Sequence, residues 1–230
     1  MTNIENQLKH LRLQGMYNRW NALLETREHH DLSLSEGMEI LLQAEEEDRI
    51  NRRFERLKRS AKFRYSATIE ELDFQANRGL NKSQITALTT GEYITKGVSV
   101  LITGATGCGK SFVASALGHR ACSQGTKVLY FNTQKLLIKT KMARLDGSVF
   151  KLFDRIAKAG VLILDDFGLT HLDKKQQMDL MEIIEDTHGK ASTIIASQLP
   201  VASWYEVIGE VTIADAIIYA VVMFFGVIVV

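Results

Sequence analysis

VSVLITGATGCGKS, residues 98–111, decides how the rest of the chain is read. Its first half is a short apolar run of the kind that forms a strand buried on both faces. Its second half is glycine, four residues, then Gly-Lys-Ser. Gly104, Gly107 and Gly109 let the backbone curl so that its N–H groups turn toward phosphate oxygens. A helix opening near Lys110 adds the positive end of its dipole. In such a loop the lysine reaches the β- and γ-phosphates as a point charge, and Ser111 ligates Mg²⁺. Because a predicted strand precedes the pattern and a predicted helix follows it, a chance glycine-rich turn is the poorer reading. The expected nucleotide contacts are Gly104, Ala105, Thr106, Gly107, Cys108, Gly109, Lys110, Ser111 and Phe112, with ATP and Mg²⁺ as the implied cofactors.

Working outward from the loop, apolar runs at residues 98–103, 127–132, 161–166 and 192–197 read as strands. Helical periodicity fills 110–123, 134–144, 149–158 and 174–187. Strands alternating with helices predict an α/β fold, with a parallel sheet flanked by helices. The third strand ends in VLILDDFG, residues 161–168. A carboxylate at the C-terminal end of a buried strand points into the crevice where open α/β sheets bind ligands. Asp165 is expected to hold Mg²⁺ through water, and Asp166 to orient or deprotonate the attacking water. A pair of this kind can also simply cap a turn, but its position after a phosphate loop favours chemistry. Ser197 and Gln198, at the exit of the fourth strand, could touch the γ-phosphate or that water. An ordinary strand exit is the commoner meaning of such a pair.

The first third reads as helix. Ser33 stands three residues before Glu36, a capping-box spacing. An acidic run, residues 45–48, precedes Arg49, Arg52, Arg53, Arg56, Lys58, Arg59, Lys62 and Arg64. Glu45–Arg49, Asp48–Arg52 and Glu55–Arg59 are i,i+4 pairs of favourable orientation. Eight bases against one acid, Glu55, make residues 49–64 a candidate surface for a polyphosphate backbone. A solvated helix face balanced by the neighbouring acids is an equally weighted alternative. Arg78, Lys82 and Lys96 are scattered further candidates.

Composition bounds the rest. The chain has 230 residues, 46% hydrophobic and 24% charged, with a net charge of +1. That length suits one α/β core and a small appendage. The near-zero charge means that any nucleic-acid contact comes from local clustering. Two cysteines, Cys108 and Cys122, form no disulfide framework and fit a reducing cytoplasm. Six histidines show no metal-ligand spacing, and His29–His30 reads as a helix-end or loop feature. The N-terminus lacks a signal-peptide core, and no membrane association is expected.

LRLQGMYNRW, LDFQANRGLNKSQITAL, VSVLITGATGCGKSFVASALG, VLILDDFGL and STIIASQLPVASWYEVIGE, spanning most of residues 11–215, resemble the IstB-like helper ATPases of insertion-sequence transposition. These are relatives of the DnaC helicase loader within the AAA+ class. The resemblance implies a P-loop AAA+ core at residues 67–215, preceded by a helical DNA-binding and assembly region at 1–66. It implies ATP hydrolysis, homo-oligomers on double-stranded DNA and a cognate transposase as partner. It gives Lys110, Asp165, Asp166 and Gln198, or Ser197 in place of Gln198, the catalytic and sensing roles. A DnaC-like helicase loader is the nearest alternative. An assembly protein that binds ATP but hydrolyses little of it is another, and a small-molecule kinase is a distant fourth. The chain departs from the family at residues 216–230, AIIYAVVMFFGVIVV, which carry no charge. The last basic residue is Lys190, so the arginine that contacts nucleotide in similar proteins has no counterpart. Fifteen apolar residues fall short of the ~20 that cross a bilayer. A shifted or truncated reading frame, with an exposed apolar end seeking a partner, is the expectation; a buried core segment is the alternative.

Overall fold

The computed structural model describes residues 3–75, 79–222 and 226–229. The chain divides into two compact units, 1–56 and 57–230. The first contains α1 (Asn3–His10), α2 (Gln14–Thr26) and most of α3 (Leu34–Ala61). The division falls inside α3. The predicted capping box forms: Ser33 N donates to Glu36 Oε2 at 2.8 Å, and Glu36 N to Ser33 Oγ at 3.3 Å.

α2 and α3 approach at Gly15, where an added Cβ would lie 2.3 Å from the Ala44 carbonyl oxygen. Glu45, only 5% exposed, fills the remaining gap. It accepts from Gly15 N at 2.8 Å and Met16 N at 3.3 Å, groups near the start of α2 that have no helical carbonyl to bond. Arg49 Nε donates to it at 2.8 Å and Arg52 Nη2 at 3.4 Å. Part of the acidic run is therefore structural. Arg52 also pairs with Asp48 at 2.6 Å. His29 and His30 lie in a short 3₁₀ turn, with His29 Nδ1 3.0 Å from the Leu23 carbonyl oxygen.

The second unit adds α4 (Lys82–Thr89), α5 (Glu92–Thr95), β1 (Val100–Thr103), α6 (Lys110–Ser123) and β2 (Val128–Asn132). α7 (Thr133–Leu145), α8 (Val149–Ala157), β3 (Val161–Phe167), α9 (Lys174–Thr187) and β4 (Ser192–Ser197) follow. α10 (Trp204–Ile208), α11 (Val211–Val222) and β5 (Gly226–Val229) complete it. The five strands are parallel, in the order β2-β3-β4-β1-β5. The C-terminal ends of β1, β4 and β3 thus lie side by side. They carry the glycine loop, Ser197-Gln198 and Asp165-Asp166 respectively. β3 is buried from Val161 to Asp165, as the near-continuous apolar run requires. The core also takes in Trp204, fully buried with its ring 4.4 Å from that of Phe167.

The apolar C-terminal stretch corrects the expectation of an exposed end. Ala214, Ile217, Ala220 and Val221 of α11 are buried in the core, and β5 pairs with β1 in register Val100↔Gly226 to Thr103↔Val229. The uncharged face of α11 can turn inward without desolvating a charge. Among the described residues no helix is long and apolar enough to cross a membrane.

Glu45 supplies a test of the first unit. Burial alone would raise its pKa, but Arg49 and the N–H groups of Met16 and Gly15 outweigh burial and hold it below the usual carboxylate range. A depressed folded pKa stabilises above the unfolded value, about 4.3, and is lost as pH falls through the lower folded value. Glu45→Gln is expected to lower stability by about 1–3 kcal/mol at pH 7. The deficit should shrink below pH ~4. Hydrogen exchange of the α2 amides measures both.

Candidate nucleotide-binding site

The loop leaves β1 and closes at Gly109, which stands at φ 102 as the N-cap of α6; Gly107 has φ 81. A Cβ at either would meet open space, so glycine is required there for backbone conformation and not for room. Lys110 is 8% exposed and folds back over the loop. Its Nζ donates to the carbonyl oxygens of Gly104 at 2.9 Å and Ala105 at 2.6 Å. Its remaining contact is Cys108 Sγ at 3.7 Å, a weak acceptor and the readiest to yield to an anion.

Asp165 and Asp166 sit where β3 loses register with β4, between Leu164 and Phe167. Such irregularities re-aim side chains next to functional sites. Asp166 has φ 54, a left-handed conformation that aspartate tolerates better than most residues. Asp165, 1% exposed, accepts through Oδ1 from Ser111 Oγ and from Asp166 N, both at 2.9 Å. Its Oδ2 accepts from the Tyr130 hydroxyl. Burial, and the carboxylate to which it donates, push that phenol far above the ordinary tyrosine value, so it serves as a fixed donor. Thr133 Oγ1 donates to the Asp165 carbonyl at 2.8 Å. Asn132 does double duty. Its Oδ1 caps α7 by accepting from Lys135 N at 3.2 Å, while its Nδ2 donates to Asp166 Oδ2 at 2.9 Å.

The structure separates the Ser197-Gln198 pair. Ser197 is fully buried and serves the strand exit, donating to the Phe167 carbonyl at 3.0 Å and accepting from Leu199 N at 3.1 Å. Gln198 faces the loop, and its Oε1 accepts from Thr106 Oγ1 at 2.5 Å. Phe112 lies on α6 beside a cleft of about 320 Å³ that sequence reasoning did not find. Glu71, Leu72, Leu80, Cys108 and Val113 also line this cleft.

The basic stretch divides in four. Arg49 and Arg52 are tied to Glu45 and Asp48, whereas Arg53, Arg56, Lys58 and Arg59 lie along α3. Arg64 turns to the carboxylates: its Nη1 is 3.0 Å from Asp166 Oδ2 and 3.5 Å from Asp165 Oδ2. Lys139 of α7, which the motifs did not single out, lies within reach of the charges of both Lys62 and Arg155 of α8. Burial first, then the charges of Arg155 and Lys62, hold Lys139 below the ordinary lysine value. Of the scattered candidates, Lys96 pairs with Glu92 at 2.6 Å, Lys82 lies 6.0 Å from the Phe74 ring centre, and Arg78 lies outside the described residues.

The sequence model of the IstB-like ATP binding proteins matches residues 6–229. The chain belongs to that family. An insertion-sequence ATP-binding protein of Sinorhizobium fredii is 38% identical over 93% of this chain and 87% of its own length. The ATP-binding protein of insertion sequence IS1162 from Pseudomonas fluorescens is 42% identical over 85% of each. Among solved structures, the DnaC helicase loader superposes with a TM-score of 0.54 at 23% identity, over 65% of this chain and 91% of its own. AMPPCP-bound DnaA from Aquifex aeolicus gives 0.60 at 16% identity, over 71% and 50%. These two establish a shared P-loop AAA+ fold.

The two thiols report on this geometry. Cys122 is fully buried, and burial pushes its thiol up to about 12, while Cys108 lies partly exposed in the loop. Iodoacetamide at pH 8 should modify Cys108 and spare Cys122 in the folded chain. ATP should slow the modification of Cys108. Peptide mass spectrometry against reaction time reads both, and Cys122 reacting first would contradict the packing of α6.

Proposed function

We propose that this IstB-like protein is a DNA-dependent ATPase that assembles as an oligomer on target duplex DNA and assists a cognate transposase. The observation that carries the reading is the convergence at one crevice of Lys110, the Ser111–Asp165 pair, Asp166 and Gln198 on Thr106. The loop N–H groups and Lys110 bind the phosphates, and the apolar cleft beside Phe112 takes the base. Ser111 Oγ and Asp165 Oδ1 stand 2.9 Å apart. That is also the separation of about 2.9 Å between neighbouring oxygens around an octahedral Mg²⁺ with ligands at ~2.0–2.1 Å, so the pair fits the ion. Mg²⁺ held there neutralises charge on the phosphates. Asp166 orients and deprotonates the attacking water, and Gln198 senses the γ-phosphate from beside Thr106.

Insertion-sequence relatives support the transposase as partner, and the reducing cytoplasm suits a chain whose two thiols are free. Lys139, with Lys62 and Arg155 acting on it, suits a phosphate backbone. A second reading has an observation of its own. No arginine follows Arg155 in the sequence, so the cis arginine that speeds hydrolysis by ~10³–10⁵ in many such enzymes is missing from the C-terminal segment. On that reading the protein binds ATP, assembles, and turns over slowly.

Duplex DNA is expected to stimulate ATP hydrolysis. Lys110→Ala should abolish nucleotide binding. Asp166→Asn should keep binding and lose ~10²–10⁴ in turnover. Charge reversal of Lys62 and Lys139 should weaken DNA binding and flatten its dependence on salt. ATPase assays and duplex gel shifts at several salt concentrations check these. ATP binding with negligible turnover on DNA would select the second reading, and failure to retain duplex DNA with ATP present would overturn the first.

A further inference from the structure

Residues 62–67 leave the end of α3 and are pinned beside the nucleotide crevice. Lys62 ends the helix in the left-handed region, at φ 60. Phe63 packs on α6, its ring 4.5 Å from that of His119 and 6.1 Å from that of Tyr130. Gly118 makes that approach possible, since a Cβ there would lie 2.4 Å from Phe63 Cε1 and 2.8 Å from Ile163 Cδ1. Tyr65 lies 6.2 Å from Phe112, and Ala67 is fully buried. Between the two rings stands Arg64. Its guanidinium is 5.5 Å from the centre of the Tyr65 ring, and its Nη1 is shared between Asp166 and Asp165. The Arg64 side chain is 49% exposed, whereas those of its carboxylate partners are 23% and 1% exposed.

Two adjacent carboxylates, both largely withdrawn from water, repel each other unless a cation offsets them. Arg64 does so from one side. Asp165 Oδ1 faces Ser111, while Asp165 Oδ2 and Asp166 Oδ2 face Arg64. A divalent ion on the Ser111 side would place a second cation across the same carboxylate. The arginine is the weaker charge and has solvent to move into. Tyr130 continues to donate to Asp165 Oδ2 if Arg64 leaves, and Asn132 to Asp166 Oδ2, so neither acceptor is stranded.

We propose that Arg64 is a positioning residue that holds the Asp165–Asp166 pair as its cation and gives it up to Mg²⁺-nucleotide, releasing residues 62–67. The proposal rests on the nucleotide reading above. Binding of Mg²⁺-nucleotide and docking of Arg64 then oppose each other, and the opposition is reciprocal. Removing the arginine therefore tightens Mg²⁺-nucleotide binding, and adding Mg²⁺-nucleotide loosens the segment. Nucleotide without Mg²⁺ brings no competing cation and leaves Arg64 in place.

The test is calorimetric titration of the full chain with AMPPCP, in Mg²⁺ and in EDTA, for the wild type, Arg64→Ala and Arg64→Lys. Hydrogen exchange across residues 62–67 is measured alongside. Arg64→Ala should bind Mg²⁺-AMPPCP about fivefold or more tighter than wild type, and AMPPCP in EDTA no tighter. Arg64→Lys, which keeps the charge, should return toward wild type. In the wild type, exchange at 62–67 should quicken with Mg²⁺-AMPPCP and not with AMPPCP in EDTA. In Arg64→Ala it should be quick from the start. Equal or weaker Mg²⁺-AMPPCP binding by Arg64→Ala overturns the proposal, as does slower exchange at 62–67 in the wild type. The wild-type exchange decides the matter even if the alanine variant folds poorly. A wild type that binds no AMPPCP in either condition overturns the nucleotide reading, and this inference with it.

Discussion

The carboxylate of Asp165 is the interaction on which the site depends. It is 1% exposed at the end of a strand buried on both faces, where an unpaired charge would be costly. The fold surrounds it with donors from different elements: Ser111 from α6, Tyr130 from β2, the Asp166 N–H from its own strand, and Arg64 from the segment after α3. Each donor fixes the position of its element relative to β3. The Ser111 bond sets how α6, and hence the loop, sits against the third strand. The cost of burying one charge is thereby offset by contacts that also align the phosphate loop with the carboxylate pair.

The fold was largely legible because its signals are local. Apolar runs of strand length, punctuated by glycine and by helical periodicity, located all four strands from residue 98 to 197 and the helices between them, with ends shifted by one or two residues. The α2–α3 contact was not legible. Gly15 matters because the Ala44 carbonyl approaches it from another helix, and Glu45 because it fills the gap beside it. Neither follows from a neighbour in sequence. The cleft beside Phe112 was hidden for the same reason, since Leu72 and Phe112 meet only through tertiary packing. Ser197 and Gln198, adjacent in sequence, are set apart by strand alternation: one turns inward and the other toward the loop.

The basic stretch shows how far a count of charges carries. Residues 49–64 look uniform in sequence, yet the structure puts them to different uses. Arg49 and Arg52 neutralise Glu45 and Asp48, and Arg64 neutralises the carboxylate pair. A cation already paired has less counter-ion to release and offers less to a phosphate backbone. Lys62 differs, since it adds to the charge near Lys139 and Arg155 instead of cancelling an acid. A polyanion gains most where like charges have been gathered against their own repulsion, because its arrival relieves that repulsion.

The apolar C-terminal stretch carries the same logic to the sheet. Without β5, β1 would be an edge, with one row of N–H and C=O groups unpaired by any strand. β1 is also the strand from which the phosphate loop hangs. Pairing across Val100–Thr103 satisfies that row and braces the strand on the side away from β4. The family match, running to residue 229, includes this segment. The uncharged C-terminal segment thus supports the strand that carries the loop.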